Sequence, residues 1–161
     1  MMKVETQKEH RWLQQLVGTW QCEHMATIEP GKKPELVTWT ETVRSLDGVW
    51  IVGESSGDMP GCGNVTTIIT LGFDAAKKRF VGTWVGSMMP HLWIYDGELD
   101  SSEKVLTLHS SGPAFDNPGH TTKFKDVIEL RSNDERTLTG IMLDKDGKWS
   151  ELMTMTQRRL K

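Results

Sequence analysis

Hydrophobic and polar residues alternate along most of the chain, in short runs that are separated by turn residues. Clear examples are residues 80–88, 124–130 and 149–159, where alternate positions are largely apolar. Alternation with a period of two is typical of half-buried β-strands. About ten such runs are joined by short segments rich in Gly, Pro, Asp and Asn, so the pattern predicts an all-β antiparallel meander.

A helical pattern occurs near the N-terminus. Four apolar side chains within residues 8–18 share one helical face, and Gly18 follows as a stop signal. An open meander of about ten strands would expose two long edges, which closure into a barrel removes. We therefore predict one domain over residues 1–161, an up-and-down β-barrel with a short N-terminal helix closing one end. A two-sheet sandwich is the alternative.

Composition excludes several classes of function. The 161 residues are 37% hydrophobic and carry a formal net charge of −3. Nucleic acid is not predicted as a partner, because neutralising phosphates requires clustered Lys and Arg. The N-terminal residues lack the apolar segment of a signal peptide, and no run approaches the ~20 apolar residues of a membrane span. With two cysteines that form no disulfide framework, we expect a cytoplasmic protein away from membranes.

A Gly-Thr-Trp sequence at residues 18–20 stands between the predicted helix and the first strand. It resembles the G-x-W motif of the calycin superfamily, which includes lipocalins and fatty-acid-binding proteins. The resemblance implies that Trp20, following Gly18, lies across the base of the barrel beneath an Arg from the last strand, a favourable cation–π contact. Strand alternation selects Arg159 for this contact, and Arg158 replaces it if a bulge shifts the phase.

Longer segments carry a second resemblance. They read "WLQQLVGTW", "VRSLDGVWIVGE", "FKDVIEL" and "DKDGKW", the last preceding a terminal Arg. With them, nearly the whole chain resembles the bacterial domain of unknown function 1579 family. This resemblance implies a calycin-like barrel and brings no established activity with it.

Candidate binding residues come from seven tryptophans and from polar side chains on apolar stripes. Asp126 shares a stripe with Phe124 and Ile128, where a carboxylate needs a partner or a water-filled space. The structural alternatives are pairing of Asp126 with an arginine such as Arg44 or Arg79, or a break in the alternation that turns Asp126 outward. The predicted ligand-binding residues are Trp50, Glu54, Trp84, Met88, His91, Trp93 and Asp126.

The leading hypothesis is a small-molecule-binding barrel for an apolar or amphipathic ligand. One alternative is a nitrobindin-like haem-binding barrel with an axial His. Another, less favoured, is an isomerase or hydrolase that uses Asp126 or Glu54 as a general base. The last alternative is a structural or interaction protein whose barrel is filled by its own side chains. An outward-facing Trp39 or Trp149 would favour this role and a homodimer. No metal site is predicted, because the five histidines lack ligand spacing. No cofactor is predicted, and no catalytic residue either, because neither Cys has an identifiable His or Asn context.

Overall fold

The computed structural model describes residues 2–26 and 31–161. Within these ranges the chain forms one helix and ten strands. They are α1 (Lys8–Gln14), β1 (Gly18–Ala26), β2 (Glu35–Leu46), β3 (Trp50–Met59), β4 (Gly63–Asp74), β5 (Arg79–Gly86), β6 (Met89–Leu99), β7 (Val105–Pro113), β8 (Thr121–Leu130), β9 (Glu135–Leu143) and β10 (Trp149–Arg159).

Every strand pairs antiparallel with its neighbours in the chain, and β1 pairs with β10. The sheet therefore closes, which confirms the predicted all-β up-and-down barrel of about ten strands with a short N-terminal helix. The sandwich alternative is wrong, because closure leaves no second layer. The predicted end of the first strand, residues 27–29, lies outside the described residues.

The helix is shorter than predicted, since α1 ends at Gln14 and not next to Gly18. Gly18 instead begins β1 with a φ of 142°, a conformation that side chains with a Cβ rarely adopt. A Cβ there would lie 2.4 Å from Nη1 of Arg159 and 2.7 Å from the carbonyl oxygen of Lys161. The glycine is thus required where the first strand meets the last.

Trp20 lies at the floor of the barrel, 1% exposed, and its cross-strand neighbour on β10 is Arg159. The Arg159 guanidinium is 4.3 Å from the centre of the indole, and a second guanidinium, that of Arg136 on β9, is 4.0 Å away. The indole N–H donates to the carbonyl oxygen of Leu16 at 3.0 Å. Arg158 points outward and is exposed. Two arginines, where the sequence predicted one, therefore contact Trp20.

Both arginines also bind the segment that follows α1. Carbonyl groups at a helix C-terminus have no donors within the helix. Arg159 donates to the carbonyl oxygens of Gln15 at 2.9 Å and Val17 at 2.5 Å, while Arg136 donates to that of Leu16 at 3.3 Å. These bonds hold the helix against the barrel floor.

Arg136 forms a buried ion pair with Glu41 of β2, and the two residues are 3% and 8% exposed. The remaining polar atoms are partnered as well: Arg136 Nε donates to Gln157 Oε1 at 2.5 Å, and Ser55 Oγ donates to Glu41 Oε2 at 3.0 Å. Complete pairing is necessary, because a buried charge that loses its partner costs several kcal/mol.

Apolar side chains fill the barrel above this floor. The largest of them include Leu71, Phe80, Leu106, Leu108 and Ile128. Beyond these packed side chains, at the end of the barrel opposite α1, the interior contains a cavity. In the described part of the chain, no helix is long and apolar enough to cross a membrane.

Replacing Arg136 by methionine leaves Glu41 buried without its cation, so we expect the free energy of unfolding to fall by about 3–5 kcal/mol. The double variant Arg136→Met/Glu41→Leu removes both charges and should regain a large part of this loss. Urea denaturation followed by tryptophan fluorescence measures both values. Arg158→Met is the matched control on the exposed side of β10 and should cost less than about 1 kcal/mol. Equal losses in the single and double variants would contradict a charge-pair role for Arg136.

Candidate functional site

The barrel interior contains a cavity of about 250 Å³ at the end opposite the helix. Strands β5 to β10 and the loop after β7 form its wall. Twelve residues line it: Trp84, Met89, Trp93, Tyr95, Ser110, Phe115, Phe124, Asp126, Leu138, Gly140, Leu152 and Met153. The barrel is thus packed next to the helix, and its other end holds a cavity on the side formed by β5 to β10.

Asp126 is the carboxylate of the cavity. Its Oδ2 accepts a hydrogen bond from the Tyr95 hydroxyl, and its cross-strand neighbours, Leu108 and Gly140, carry no charge. Desolvation raises the pKa of Asp126, and the hydrogen bond from Tyr95 opposes this shift in part. Burial, together with the nearby carboxylate, raises the pKa of Tyr95. The two side chains are therefore most stable as a neutral or singly charged hydrogen-bonded pair.

No cation pairs with Asp126 among the described residues. Arg79, one alternative partner considered from the sequence, lies on the outer surface and pairs with Asp96 at 2.8 Å and Glu98 at 3.0 Å. Arg44, the other, is exposed on the outside of β2. The structural alternative of an arginine pair is therefore wrong, and the carboxylate faces the cavity with one hydroxyl partner.

Aromatic and thioether groups form the wall beside Asp126. Trp93, 7% exposed, packs edge-to-face on Phe124 with ring centres 4.7 Å apart, and Phe124 contacts Phe115 at 5.4 Å. The Trp93 indole N–H donates to the sulfur of Met89 at 3.2 Å, a weak acceptor. Such a wall is polarisable, and its Met side chain can adapt to a ligand's shape.

The barrel wall is open beside this aromatic cluster. Strands β6 and β7 pair only from Asp96 to Leu99 and from Leu106 to His109, so their ends at the cavity separate. Outside lies a wider groove, lined in part by His91, Ile94, Lys125 and Trp149. Ser110 and Phe124 line both the groove and the cavity. These two side chains therefore stand between the cavity and the groove outside.

Trp84, Trp93 and Asp126 of the predicted ligand-binding residues are brought together on the cavity wall. Met88 lies in the turn after β5 and packs against the main apolar cluster of the core, while its neighbour Met89 lines the cavity. Strand alternation could not separate these two adjacent methionines, because the turn interrupts it.

His91 sits at the rim. Its ring packs edge-to-face on Trp93 with centres 4.6 Å apart, and its Nε2 lies 3.0 Å from the carbonyl oxygen of Ser111, across the separated strands. His91 lines the outer groove and not the cavity. We infer that it braces the opening, since its imidazole spans a position where backbone pairing has ended.

The placement of Trp50 and Glu54 inside the barrel is wrong. Trp50 is 39% exposed and Glu54 is exposed too, because alternation puts Ile51, Gly53 and Ser55 on the inner face of β3. The apolar Trp suggested the opposite phase. The small residues of this strand face a crowded interior, where a Cβ on Gly53 would meet Ile69 at 2.9 Å.

Trp149 also faces outward, beneath Lys125 Nζ at 4.1 Å. A β-bulge between Glu151 and Met153 inserts Leu152 into β10 and reverses the phase of the strand before it. Beyond the bulge, alternation holds as far as the floor of the barrel. Trp39, by contrast, is buried inside.

Nine of the twelve lining residues lie outside the predicted ligand-binding set, and three of these nine carried a signal in the sequence. Tyr95 follows Trp93 at the spacing of one strand face. Gly140 shares the inner face of β9 with Leu138, and a Cβ there would have ordinary contacts, 3.6 Å from Asp126 Oδ1. Met153 shares with Met155 the inner face that alternation predicted for β10.

The carboxyl of Asp126 and the hydroxyl of Tyr95 give the site hydrogen-bonding groups and one acid–base group. Burial raises the pKa of the Cys22 thiol to about 12, so it stays protonated near neutrality. Across residues 2–26 and 31–161, no cluster of three or more His, Cys, Asp or Glu side chains is arranged to hold a metal ion. The arrangement suits orientation of a bound polar group by Asp126 and Tyr95.

The family described as "Protein of unknown function (DUF1579)" matches residues 5–159. The chain belongs to this family. A search of curated proteins gives no match for this DUF1579 protein.

Two solved structures match nearly the whole chain at low sequence identity. A redesigned β-barrel is 13% identical, with 98% of this chain and 100% of that chain covered and a TM-score of 0.48. The S-type phycobiliprotein lyase CPES from Guillardia theta is 14% identical, with 98% and 94% covered and a TM-score of 0.59. At this identity the likeness to the lyase concerns the fold alone.

The raised pKa of Asp126 predicts that Asp126→Asn stabilises the protein near neutral pH, by about 0.5–2 kcal/mol. The folded protein binds the proton of the Asp126 carboxyl more tightly than the unfolded chain does, because the pKa of an Asp in an unfolded chain is about 3.9. The stability that the protonated carboxyl contributes is therefore complete at low pH and lost as pH rises through the folded pKa. Accordingly, the advantage of the variant should be small near pH 4 and grow as pH increases.

Urea unfolding over a pH series measures this difference, with Asp58→Asn as control. Asp58 is exposed at the end of β3, and its replacement makes the same change of charge. An advantage of Asp126→Asn that does not vary with pH would show that ionisation of Asp126 is not its cause.

Proposed function

We propose that this DUF1579 protein binds a small apolar or amphipathic molecule inside its barrel. The observation that carries the proposal is the cavity of about 250 Å³ with mainly aromatic, aliphatic and thioether walls and one carboxylate–hydroxyl pair. Ligand sites of proteins have this composition, in which apolar contacts supply affinity and few polar groups fix orientation.

The volume restricts the ligand. Cavities for drug-sized molecules start at roughly 300 Å³, so the occupant is small or extends out of the barrel. Phe115 belongs to the loop after β7, is 56% exposed and lines the mouth of the cavity. A ligand that protrudes would contact this ring, while its inner end meets Asp126.

We also propose that the barrel is a calycin. Support comes from the helix at the floor, the order of the strands, and the Gly18-x-Trp20 motif beneath Arg159. The likeness in fold to the phycobiliprotein lyase agrees with this assignment and carries no information about the ligand of this chain.

The alternatives receive less support. Haem binding through an axial histidine is disfavoured, because none of the twelve described lining residues is a histidine. The alternative of a barrel filled by its own side chains receives less support, because the interior contains a cavity of about 250 Å³. A general base could be Asp126, but Glu54 lies on the outer surface and cannot act with it. The homodimer and the cytoplasmic location stay predictions.

Filling the cavity should abolish binding. Gly140 lies on its wall with room for a Cβ, so Gly140→Leu places an isobutyl group in the space that a ligand would occupy. We expect the neutral fluorophore N-phenyl-1-naphthylamine to bind wild type with enhanced emission, and the variant at least about tenfold more weakly, since a filled site loses its apolar contacts.

Thr139→Leu is the matched control, because Thr139 is the preceding residue of β9 and its hydroxyl bonds Thr154 on the outer surface. Thermal unfolding verifies that both variants are folded. If the two variants bind the fluorophore as wild type does, the cavity is not the binding site. If wild type binds no such probe, the proposed function is rejected.

A further inference from the structure

The described lining of the cavity contains one acidic side chain and no basic side chain. Of its twelve described lining residues, Asp126 carries the one carboxyl group, and none is Lys, Arg or His. Lys123 and Lys125 of β8 line the groove on the outside of the barrel. The interior field therefore favours a positive group and opposes an anion.

Aromatic rings surround the position that a cation would occupy. Trp84, Trp93, Phe115 and Phe124 line the cavity together with the Tyr95 ring. A cation near such ring faces is attracted by their quadrupoles, and this attraction strengthens when water is excluded. The sulfurs of Met89 and Met153 add polarisable surface without adding charge.

Asp126 has an unused hydrogen-bonding capacity. An ionised carboxylate accepts several hydrogen bonds, and in the described chain Asp126 receives one side-chain bond, from Tyr95. A buried carboxylate without a counter-ion is costly, so a ligand that supplies both a positive charge and an N–H donor gains most from this site.

We propose that the ligand is a hydrophobic amine, whose protonated nitrogen donates a hydrogen bond to Asp126 while its apolar body packs among the aromatic rings of the cavity. This inference rests on the proposed function and names the class of its ligand. An alcohol of the same shape makes a weaker, uncharged bond to Asp126. A carboxylate of the same shape finds no cation in the cavity and is repelled.

Amine binding is coupled to a proton. Desolvation raises the pKa of Asp126 in the free protein, and an ammonium beside it lowers that pKa again, so binding releases a proton from the carboxyl to the buffer. Tyr95 of β6 is the titratable group that faces Asp126. Leu108 of β7, Gly140 of β9 and Met153 of β10, which face it from the other packed strands, do not titrate. Amine affinity should therefore rise as pH increases through the Asp126 pKa.

The experiment compares 4-phenylbutylamine, 4-phenylbutanol and 4-phenylbutyrate, which share one carbon skeleton, by isothermal titration calorimetry with the full chain. We expect the amine to bind roughly tenfold to a hundredfold more tightly than the alcohol, as is typical of a charge-assisted hydrogen bond. The carboxylate should bind most weakly. Titrations in two buffers of different ionisation enthalpy count the released protons.

Asp126→Asn should lower amine affinity to that of the alcohol, leave alcohol affinity unchanged and abolish proton release. Asp58→Asn, the exposed control with the same change of net charge, should behave as wild type. If the alcohol binds wild type as tightly as the amine, or if Asp126→Asn retains the preference, the amine inference is overturned while the proposed function stands. If none of the three compounds binds wild type while N-phenyl-1-naphthylamine does, the amine inference is overturned and the proposed function stands. If the fluorophore does not bind either, the proposed function fails and this inference fails with it.

Discussion

The structure depends on the contact of two guanidinium groups with one indole at the floor of the barrel. Arg159 comes from the last strand and Trp20 from the first, so their contact joins the two ends of the sheet. Arg136 adds the second guanidinium and extends the contact to Glu41 on β2. The same arginines bind the carbonyls after α1. One polar cluster thus closes the sheet and attaches the helix, and its charges are stable there because they are partnered.

The two ends of the barrel differ in how their interiors are packed and in how their buried polar groups are paired. At the helix end, large apolar side chains and the buried ion pair fill the space and supply stability. At the other end, Asp126 stands in a cavity where ionisation is disfavoured, and β6 and β7 separate next to it. A buried carboxyl without a charged partner lowers the stability of the folded protein. Natural proteins tolerate such a loss at functional sites when the rest of the fold is stable enough to compensate for it.

Much of the architecture could be predicted from alternation and turn residues. The strand number and the closure follow from these patterns, since a period of two and a need to bury edges leave few arrangements. The floor position of Trp20 was implied by the resemblance of the Gly18-x-Trp20 segment to the calycin motif. The site was predicted in part: Trp84, Trp93 and Asp126 reach the cavity. Trp50 and Glu54 do not, because hydrophobicity misled the choice of face in β3, whose inner positions hold Ile, Gly and Ser.

The sequence by itself determined the order of the strands and the stripe that carries Asp126, because these are local or nearest-neighbour properties of the chain. Tertiary structure decided the rest. The pairing of Arg136 with Glu41 joins residues 95 positions apart. The bulge at Leu152 sets which side of β10 faces inward before that residue. The cavity results from how the side chains of six strands meet. Such features depend on packing around a closed ring, which no single strand records.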